Sequence, residues 1–297
     1  MLDRYLLRYF LAVVDQGNFS RAAAACHVSQ PTLSVGIAKL ERTLGHALFV
    51  RSNQRVELTA AGATFLAHAR RIERDFNVAL QSMGIAADLP TLRLGVLASV
   101  PGRVIATGVA QTRPGDTHRF ELVFGNEREL VGHLAKGRID LALTLTGRGG
   151  DRFLERPVLT EGYALALPAD HALAGEAEIG AEQLADAVMI VRRHCEALSD
   201  TSRHFTERGV RPHFALRSTN DEHVLQMVGA GLGLTVMPDC YRLDGVVRPR
   251  LTGFAARRTL GWVAAHGAEQ WLDAPLPVRD AIGAALRGDG RLHAPAG

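Results

Sequence analysis

Gln30, Pro31, Thr32 and Ser34 fall within five consecutive residues directly behind Ser29. An amide, two hydroxyls and an apolar ring on one helical turn suit the edges of base pairs. Glutamine can pair with adenine in a bidentate manner, and threonine or proline can touch a thymine methyl. Lys39 lies further down the same segment, better placed for phosphate. Arg51 and Arg55 flank a turn at Asn53-Gln54, where guanidinium groups can reach phosphates or a narrow minor groove. A small helical domain with an incidental polar face would carry the same residues, so the pattern gains meaning only from the elements around it.

A second group of polar residues lies where strands give way to helices. Ser99-Val100-Pro101-Gly102 follows an apolar run and opens a helical one, so its N–H groups could hold an anion. Thr144 and Thr146 end another strand-like run; Arg193, His194 and Cys195 follow a third; Thr219 and Asn220 precede a helix at Asp221. For each, an ordinary cap or polar loop is the competing explanation. Arg192 and Arg193 are adjacent in an extended segment and point to opposite faces, so at most one can look into a cleft. Arg193 is taken as that cation. A helix N-terminus, several hydroxyls and one guanidinium favour a small organic anion; with Arg193 facing solvent instead, a neutral or aromatic effector fits equally well.

The elements that must position these residues follow from apolar spacing. Leu7, Phe10, Leu11 and Val14 repeat at three and four, predicting a helix that Gly17 ends in a left-handed cap. A short helix over about Ser20–Cys26 follows, capped by Ser20 or Asn18. A third opens at Ser29 with Pro31 in its first turn, carries Leu33, Ile37, Leu40 and Leu44, and stops at Gly45. Residues 47–51 and 56–58 read as a two-stranded wing. Thr59 caps a helix from about Ala60 to Met83, roughly 36 Å long, with a stripe of Phe65, Ile72, Phe76, Leu80 and Met83. A stripe that long needs a partner, and a second copy of the same helix is the natural one, with packing on the C-terminal domain as the alternative.

Beyond Pro90 the texture becomes α/β. Strand-like runs at Leu92–Leu97, Phe120–Phe124, Ile139–Leu145, Tyr163–Leu167, Val188–Val191, Phe214–Arg217, Leu234–Met237 and Leu260–Ala264 alternate with helical patterns. The latter are Arg103–Gln111, Glu127–Ala135, Glu196–Glu207, Asp221–Val228 and Pro277–Arg287. Such alternation predicts largely parallel sheets in two small lobes with a cleft between them.

Composition narrows the function. Residues 1–89 hold ten Arg and Lys against seven Asp and Glu, while the remainder holds twenty-four of each, so all the excess positive charge lies in the first third. That suits a front end meeting a polyanion. Three cysteines (Cys26, Cys195, Cys240) and twelve scattered histidines give neither a disulfide framework nor metal-ligand spacing, and no cofactor or metal is expected. No apolar run is long enough to span a bilayer and no secretory signal is legible, so a cytoplasmic protein without membrane partners is expected. An α/β enzyme is the first alternative, but no nucleophile elbow or phosphate loop is present, and Gly229–Gly233 follows a helical stretch where a dinucleotide fingerprint needs a strand. A secreted solute-binding protein fits the lobes but not the first ninety residues.

Phe10-Leu11-Ala12-Val13-Val14, Gly17-Asn18-Phe19-Ser20-Arg21-Ala22-Ala23, Val28-Ser29-Gln30-Pro31-Thr32-Leu33-Ser34, Ile37-Ala38-Lys39-Leu40-Glu41 with Leu44-Gly45, Leu48-Phe49-Val50-Arg51 and Leu58-Thr59-Ala60-Ala61-Gly62 together resemble the opening of LysR-type transcriptional regulators. The match covers about the first 85 residues closely and the rest loosely, through Gly229–Gly233 and Met237-Pro238. The resemblance implies a winged helix-turn-helix at 1–59, a linker and dimerisation helix at 60–89, and a periplasmic-binding-protein-like effector domain at 90–297. In that domain, lobe I would comprise 90–161 and 267–297, and lobe II 162–266. It further implies dimers paired into tetramers, an interrupted dyad operator in double-stranded DNA, RNA polymerase as a further partner and a small-molecule effector in the cleft. Two positions depart from the pattern: Val35-Gly36 stands where a basic residue is common, and Cys26 where leucine is common. His194-Cys195 is similar to the reactive-cysteine region of peroxide-sensing members, yet no cysteine lies between 195 and 240, so a plain polar loop is expected there.

Overall fold

A computed structural model describes residues 2–51, 56–83, 91–111, 119–148, 150–266 and 268–291. The chain opens with helices α1 (Arg4–Gln16), α2 (Phe19–Ala25) and α3 (Gln30–Leu44). Strands β1 (Phe49–Arg51) and β2 (Val56–Leu58) then form an antiparallel wing, followed by helix α4 (Ala60–Ser82). The helix ends obey local chemistry. Gly17 (φ 60°) and Gly45 (φ 71°) close α1 and α3 in the left-handed conformation that glycine adopts without a Cβ penalty. Asn18, rather than Ser20, caps α2; Ser29 caps α3 by accepting from the Thr32 N–H; and Thr59 accepts from the Gly62 N–H at 2.9 Å. Leu6, Phe10, Val13, Leu33, Ile37 and Leu40 interlock as the core of this head.

The rest of the chain carries β3 (Thr91–Leu97), α5 (Gly102–Val109), β4 (Arg119–Gly125), α6 (Glu127–Ala135), β5 (Leu141–Leu145), β6 (Phe153–Glu161) and β7 (Tyr163–Pro168). Then come β8 (Glu178–Ile179), β9 (Val188–Arg192), α7 (Leu198–Glu207), β10 (His213–Ser218), α8 (Asp221–Gly229) and β11 (Thr235–Pro238). The last described elements are β12 (Val246–Val247), β13 (Arg250–Leu251), β14 (Arg258–Ala265), α9 (Gln270–Asp273) and α10 (Pro277–Arg291).

The first lobe is a five-stranded sheet in the order β4-β3-β5-β14-β6. Strand β3 runs parallel to β4 and β5, but β14 runs antiparallel to β5 and β6. In the second lobe β7 is antiparallel to both β11 and β12, and β9 is parallel to β10. The sheets are thus mixed where sequence periodicity predicted largely parallel ones. Strand β6 escaped the periodicity because Arg156-Pro157 interrupts it; it lies at the sheet edge, where proline is tolerated, beside a register shift at Leu260/Gly261. Because β14 completes the first sheet, the chain re-enters lobe I ahead of Arg258 and not at 267. Among the described residues no helix is long and apolar enough to cross a membrane.

Candidate functional site

On the head, Gln30, Pro31 and Thr32 are exposed and Ser34 is half-buried at the start of α3. The Ser29 and Thr32 hydroxyls share a 2.7 Å hydrogen bond, and Gln30 Nε2 donates to Ser34 Oγ at 3.1 Å, so this polar turn is ordered before any partner arrives. Val35 beside it is 66% exposed. Gly36 has a packing reason: a Cβ there would lie 2.6 Å from the Tyr9 ring of α1. Lys39, expected at phosphate, is instead tied to α1, with Nζ bonded to Asp3 Oδ2 (3.1 Å) and the Tyr5 hydroxyl (3.0 Å). Arg51 ends β1, and Arg55 lies outside the described residues.

The α4 stripe divides. Phe65 belongs to the head core, its ring 5.2 Å from that of Phe10, and so drops out of the expected dimerisation set. Ile72 and Phe76 are each 43% exposed, Met83 is exposed and Leu80 half-buried. The Arg4 guanidinium stacks 3.6 Å above the Phe76 ring while bonding Glu73.

Most of the residues expected to hold an effector are already engaged. The first N–H of α5, at Gly102, bonds Glu222 Oε1 at 2.9 Å, so the chain's own carboxylate occupies that helix end. Val100 is buried and makes a turn to Leu97. Asn220 caps α8 by accepting from the His223 N–H, and Thr219, Arg193 and His194 are exposed. Thr146 leans on the Thr259 carbonyl, while Thr144 is fully buried with its hydroxyl unpartnered. An anion site built on Arg193 and the α5 N-terminus is therefore not assembled.

A buried ionic network stands between the lobes in its place. Arg258, at the start of β14, donates to Glu161 Oε1 (2.8 Å), Ser99 Oγ (2.7 Å), Glu196 Oε1 (2.5 Å) and Cys240 Sγ (3.4 Å). Ser99 Oγ donates in turn to Glu196 Oε2, and the Tyr163 hydroxyl to Glu196 Oε1 at 2.8 Å. Next to it, Arg192 is gripped by both oxygens of Asp221 and gives Nη1 to the Val236 carbonyl and to Cys195 Sγ, each at 3.2 Å. The inward-facing cation of the adjacent pair is thus Arg192, only 2% exposed, and not Arg193. Burial pushes the Glu196 carboxyl up, but Arg258 and Arg192 outweigh it and hold the group at about 2. Burial raises the Cys195 thiol, with Arg192 opposing, and pushes Cys240 up to about 12.

Cys195 also lines a cavity of about 950 Å³ with Met189, Val191, Phe205, Val210 and Phe214. Its origin is in the β9–β10 register. Phe214 pairs with Met189 and Leu216 with Ile190, so the extra residue between them turns Phe214 and Leu216 to opposite faces. Leu216 packs under α8, whereas Phe214 is left 40% exposed where α7 incompletely covers the edge strand.

Residues 5–63 match the family described as bacterial regulatory helix-turn-helix protein, lysR family, and residues 88–275 match the LysR substrate binding domain. The chain belongs to the LysR family. This LysR-family member is a DNA-binding transcriptional regulator with an effector-binding domain. It is 34% identical to a probable hydrogen peroxide-inducible genes activator of Mycobacterium avium, across 85% of this chain and 83% of that one. It is also 33% identical to the Hca operon transcriptional activator HcaR of Escherichia coli (strain K12), across 78% and 80% of the two chains. Its fold matches that of ArgP from Mycobacterium tuberculosis with a TM-score of 0.71 at 21% identity, over 97% of this chain and 98% of that one.

Sequence reasoning missed Glu161, Tyr163, Arg192, Glu196, Asp221 and Arg258. One signal was available: Arg192 follows Val188–Val191 at the spacing that puts it on the same face as Ile190, and a charge on a buried face of a strand demands a partner.

Proposed function

We propose that this regulator docks α3 on an interrupted dyad operator and senses an oxidant of the peroxide class through Cys195. Gln30 pairs with adenine, Pro31, Thr32 and the exposed Val35 meet thymine methyls, and Ser34 orients Gln30. Arg51, and Arg55 just before β2 in the sequence, supply phosphate or minor-groove contacts, and the protein works in the cytoplasm, where chromosomal DNA is. The observation that carries the sensing role is the position of Arg192 Nη1, 3.2 Å from Cys195 Sγ at the wall of an open cavity. The relative from Mycobacterium avium, named as a peroxide-inducible activator, supports the same class of signal.

In this reading the Cys195 thiolate attacks one peroxide oxygen, the O–O bond breaks, and the departing hydroxide takes a proton and leaves as water. Sulfur is oxidised to a sulfenic acid and the peroxide is reduced. Arg192 stabilises the thiolate, while burial keeps most of it protonated at neutral pH, which sets a high oxidant threshold. Cys240 is held by Arg258 with its thiol pushed up to about 12, so the product stays a sulfenic acid and no disulfide forms.

Treating the full chain with hydrogen peroxide and dimedone tests this. A dimedone adduct on Cys195, and an operator affinity that changes with peroxide in the wild type but not in Cys195→Ser, is the expected result. An adduct only on Cys26, or an undiminished response of Cys195→Ser, overturns it. The volume of the cavity favours a second reading, an organic effector seated beside Cys195, since cavities of about this size hold drug-sized ligands. Under that reading Cys195→Ser keeps its effector response and only the peroxide response is missing from both proteins.

A further inference from the structure

Outside both the reading turn and the network at Cys195, five charged residues, Asp15, Arg70, Arg93, Glu121 and Asp140, meet from α1, α4 and the first lobe. Asp140, one residue before β5, has a side chain only 6% exposed. Its Oδ2 accepts from the Arg93 N–H of β3 at 2.8 Å, its own N–H returns a bond to the Arg93 carbonyl, and its Oδ1 accepts from Arg70 Nη1. Arg70 belongs to α4, and its other Nη reaches Asp15 Oδ1 at 3.1 Å. Arg93 Nη1 lies at 3.1 Å from the same Asp15 oxygen. Arg70 thus bridges the two aspartates, the Arg93 guanidinium holds Asp15 and, through Nε at 3.1 Å, Glu121, and the ring closes through the Arg93 main chain, joining α1, α4 and the first lobe.

Asp15 does not suit its own helix. It sits in the last turn of α1, where the negative end of the helix dipole disfavours a carboxylate. Arg70, on the part of α4 that packs on the head, and Arg93 from the first lobe compensate for that position, so docking adds a second guanidinium that the isolated head lacks. An apolar contact beside the ring tightens it. Gly137, at φ +60°, lies under Leu66 of α4 so closely that a Cβ would come within 1.9 Å of Leu66 Cδ2. None of these residues belongs to the reading turn or to the network around Arg192 and Arg258.

We propose that Asp15, Arg70, Arg93 and Asp140 form an ionic latch that fixes the angle of the DNA-reading head on the effector domain, and so sets the half-site spacing the regulator accepts. These are positioning residues: they act on DNA through α1 and α4 and touch none of it. The proposal stands whether or not Cys195 senses an oxidant.

The test uses the full-length chain, Asp15→Asn, Arg70→Gln and their combination, in gel shifts on operators whose two half-sites are moved apart one base pair at a time. Wild type favours one spacing; each single variant loses about fivefold of that preference, the lower range of measured site-to-site coupling. Binding to a single half-site stays unchanged. The combined variant adds less than the sum of the two, because both substitutions open the same ring. The latch is refuted if both single variants keep the wild-type preference. It is equally refuted if half-site affinity falls by the same factor as operator affinity, since the cluster would then serve only to fold the head.

Discussion

Replacing Asp221 by asparagine isolates the most exposed assumption about the sensing network, that Arg192 is a buried cation held by a single carboxylate. The substitution keeps shape and one acceptor but removes the charge. Arg192 is 2% exposed and donates two bonds to Asp221, so the variant leaves a buried guanidinium without its bonded counter-ion. Breaking such a pair costs about 3–5 kcal/mol. The Val236 carbonyl and Cys195 Sγ remain as partners, which places the loss near the lower end, at about 3 kcal/mol. For a domain of this size that lowers Tm by roughly 6–12 °C.

The same change acts on the thiol in the opposite direction. Burial is the main cause of the raised Cys195 pKa and Asp221 adds to it, while Arg192 lowers it. Removing the carboxylate takes away one of the two negative charges, Glu196 being the other, that oppose the guanidinium at sulfur, so the thiolate fraction rises and Cys195 alkylates faster at neutral pH. Thermal unfolding together with the pH dependence of iodoacetamide labelling reads both effects on one sample. A loss below about 1 kcal/mol, no more than a surface pair is worth, sinks the energetic argument. Slower labelling sinks the electrostatic one. An Arg192→Met/Asp221→Leu pair supplies the control: removing both charges costs less than removing one.

Three further outcomes follow from the geometry. Gln30→Ala costs roughly 1–3 kcal/mol on the operator and relaxes base preference at one position per half-site, measured by binding-site selection; an unchanged selected sequence shows that α3 is docked differently. Ile72→Asp abolishes dimers in sedimentation, because a bare carboxylate enters the exposed α4 stripe; Phe76→Asp is milder, since Arg4 stacks on Phe76 and can neutralise the new charge. Glu196 is depressed to about 2 in the folded chain, so its contribution is present above the carboxylate's unfolded pKa of about 4.3 and is lost as pH falls toward 2. Glu196→Gln therefore flattens stability against pH below about 5, and an acid limb as steep as wild type's contradicts the assignment.

Local signals account for what the sequence disclosed. Residues 127–135 are helical because Asn126 and Glu129 form a capping box at the expected boundary. The head was legible for the same reason: Gly17, Ser29, Gly45 and Thr59 each act within a few residues of themselves. Long-range pairing was not legible. Arg192 and Asp221 are 29 positions apart and Arg258 and Glu161 are 97 apart, so no periodicity links them, and Arg193 looked as suitable as Arg192. Phe65 and Phe76 share one helical stripe, but only Phe65 lies within reach of Phe10, so the stripe alone could not show where the head stops and an open surface begins.

The two clusters are joined by rigid elements. Arg258, which anchors Glu161, Ser99 and Glu196, is the first residue of β14. Strand β14 pairs with β5 from Leu260↔Leu145 to Val263↔Ala142, and Asp140 of the proposed latch stands immediately before β5. A displacement of Arg258 that carried β14 with it would thus reach Arg70 and Asp15 through two hydrogen-bonded strands and one carboxylate. Continuity alone is not coupling; what makes it effective is a part that has two arrangements. An ion-pair ring spanning separately folded regions can open without unfolding any of them, whereas the strand ladder cannot. The ladder therefore transmits and the ring yields. Because linkage is reciprocal, a regulator built this way must also show the reverse effect: operator binding that favours one state of the ring shifts the equilibrium of the distant site by the same factor, read as effector affinity for a bound ligand or as the oxidised-to-reduced ratio of Cys195 for an oxidant.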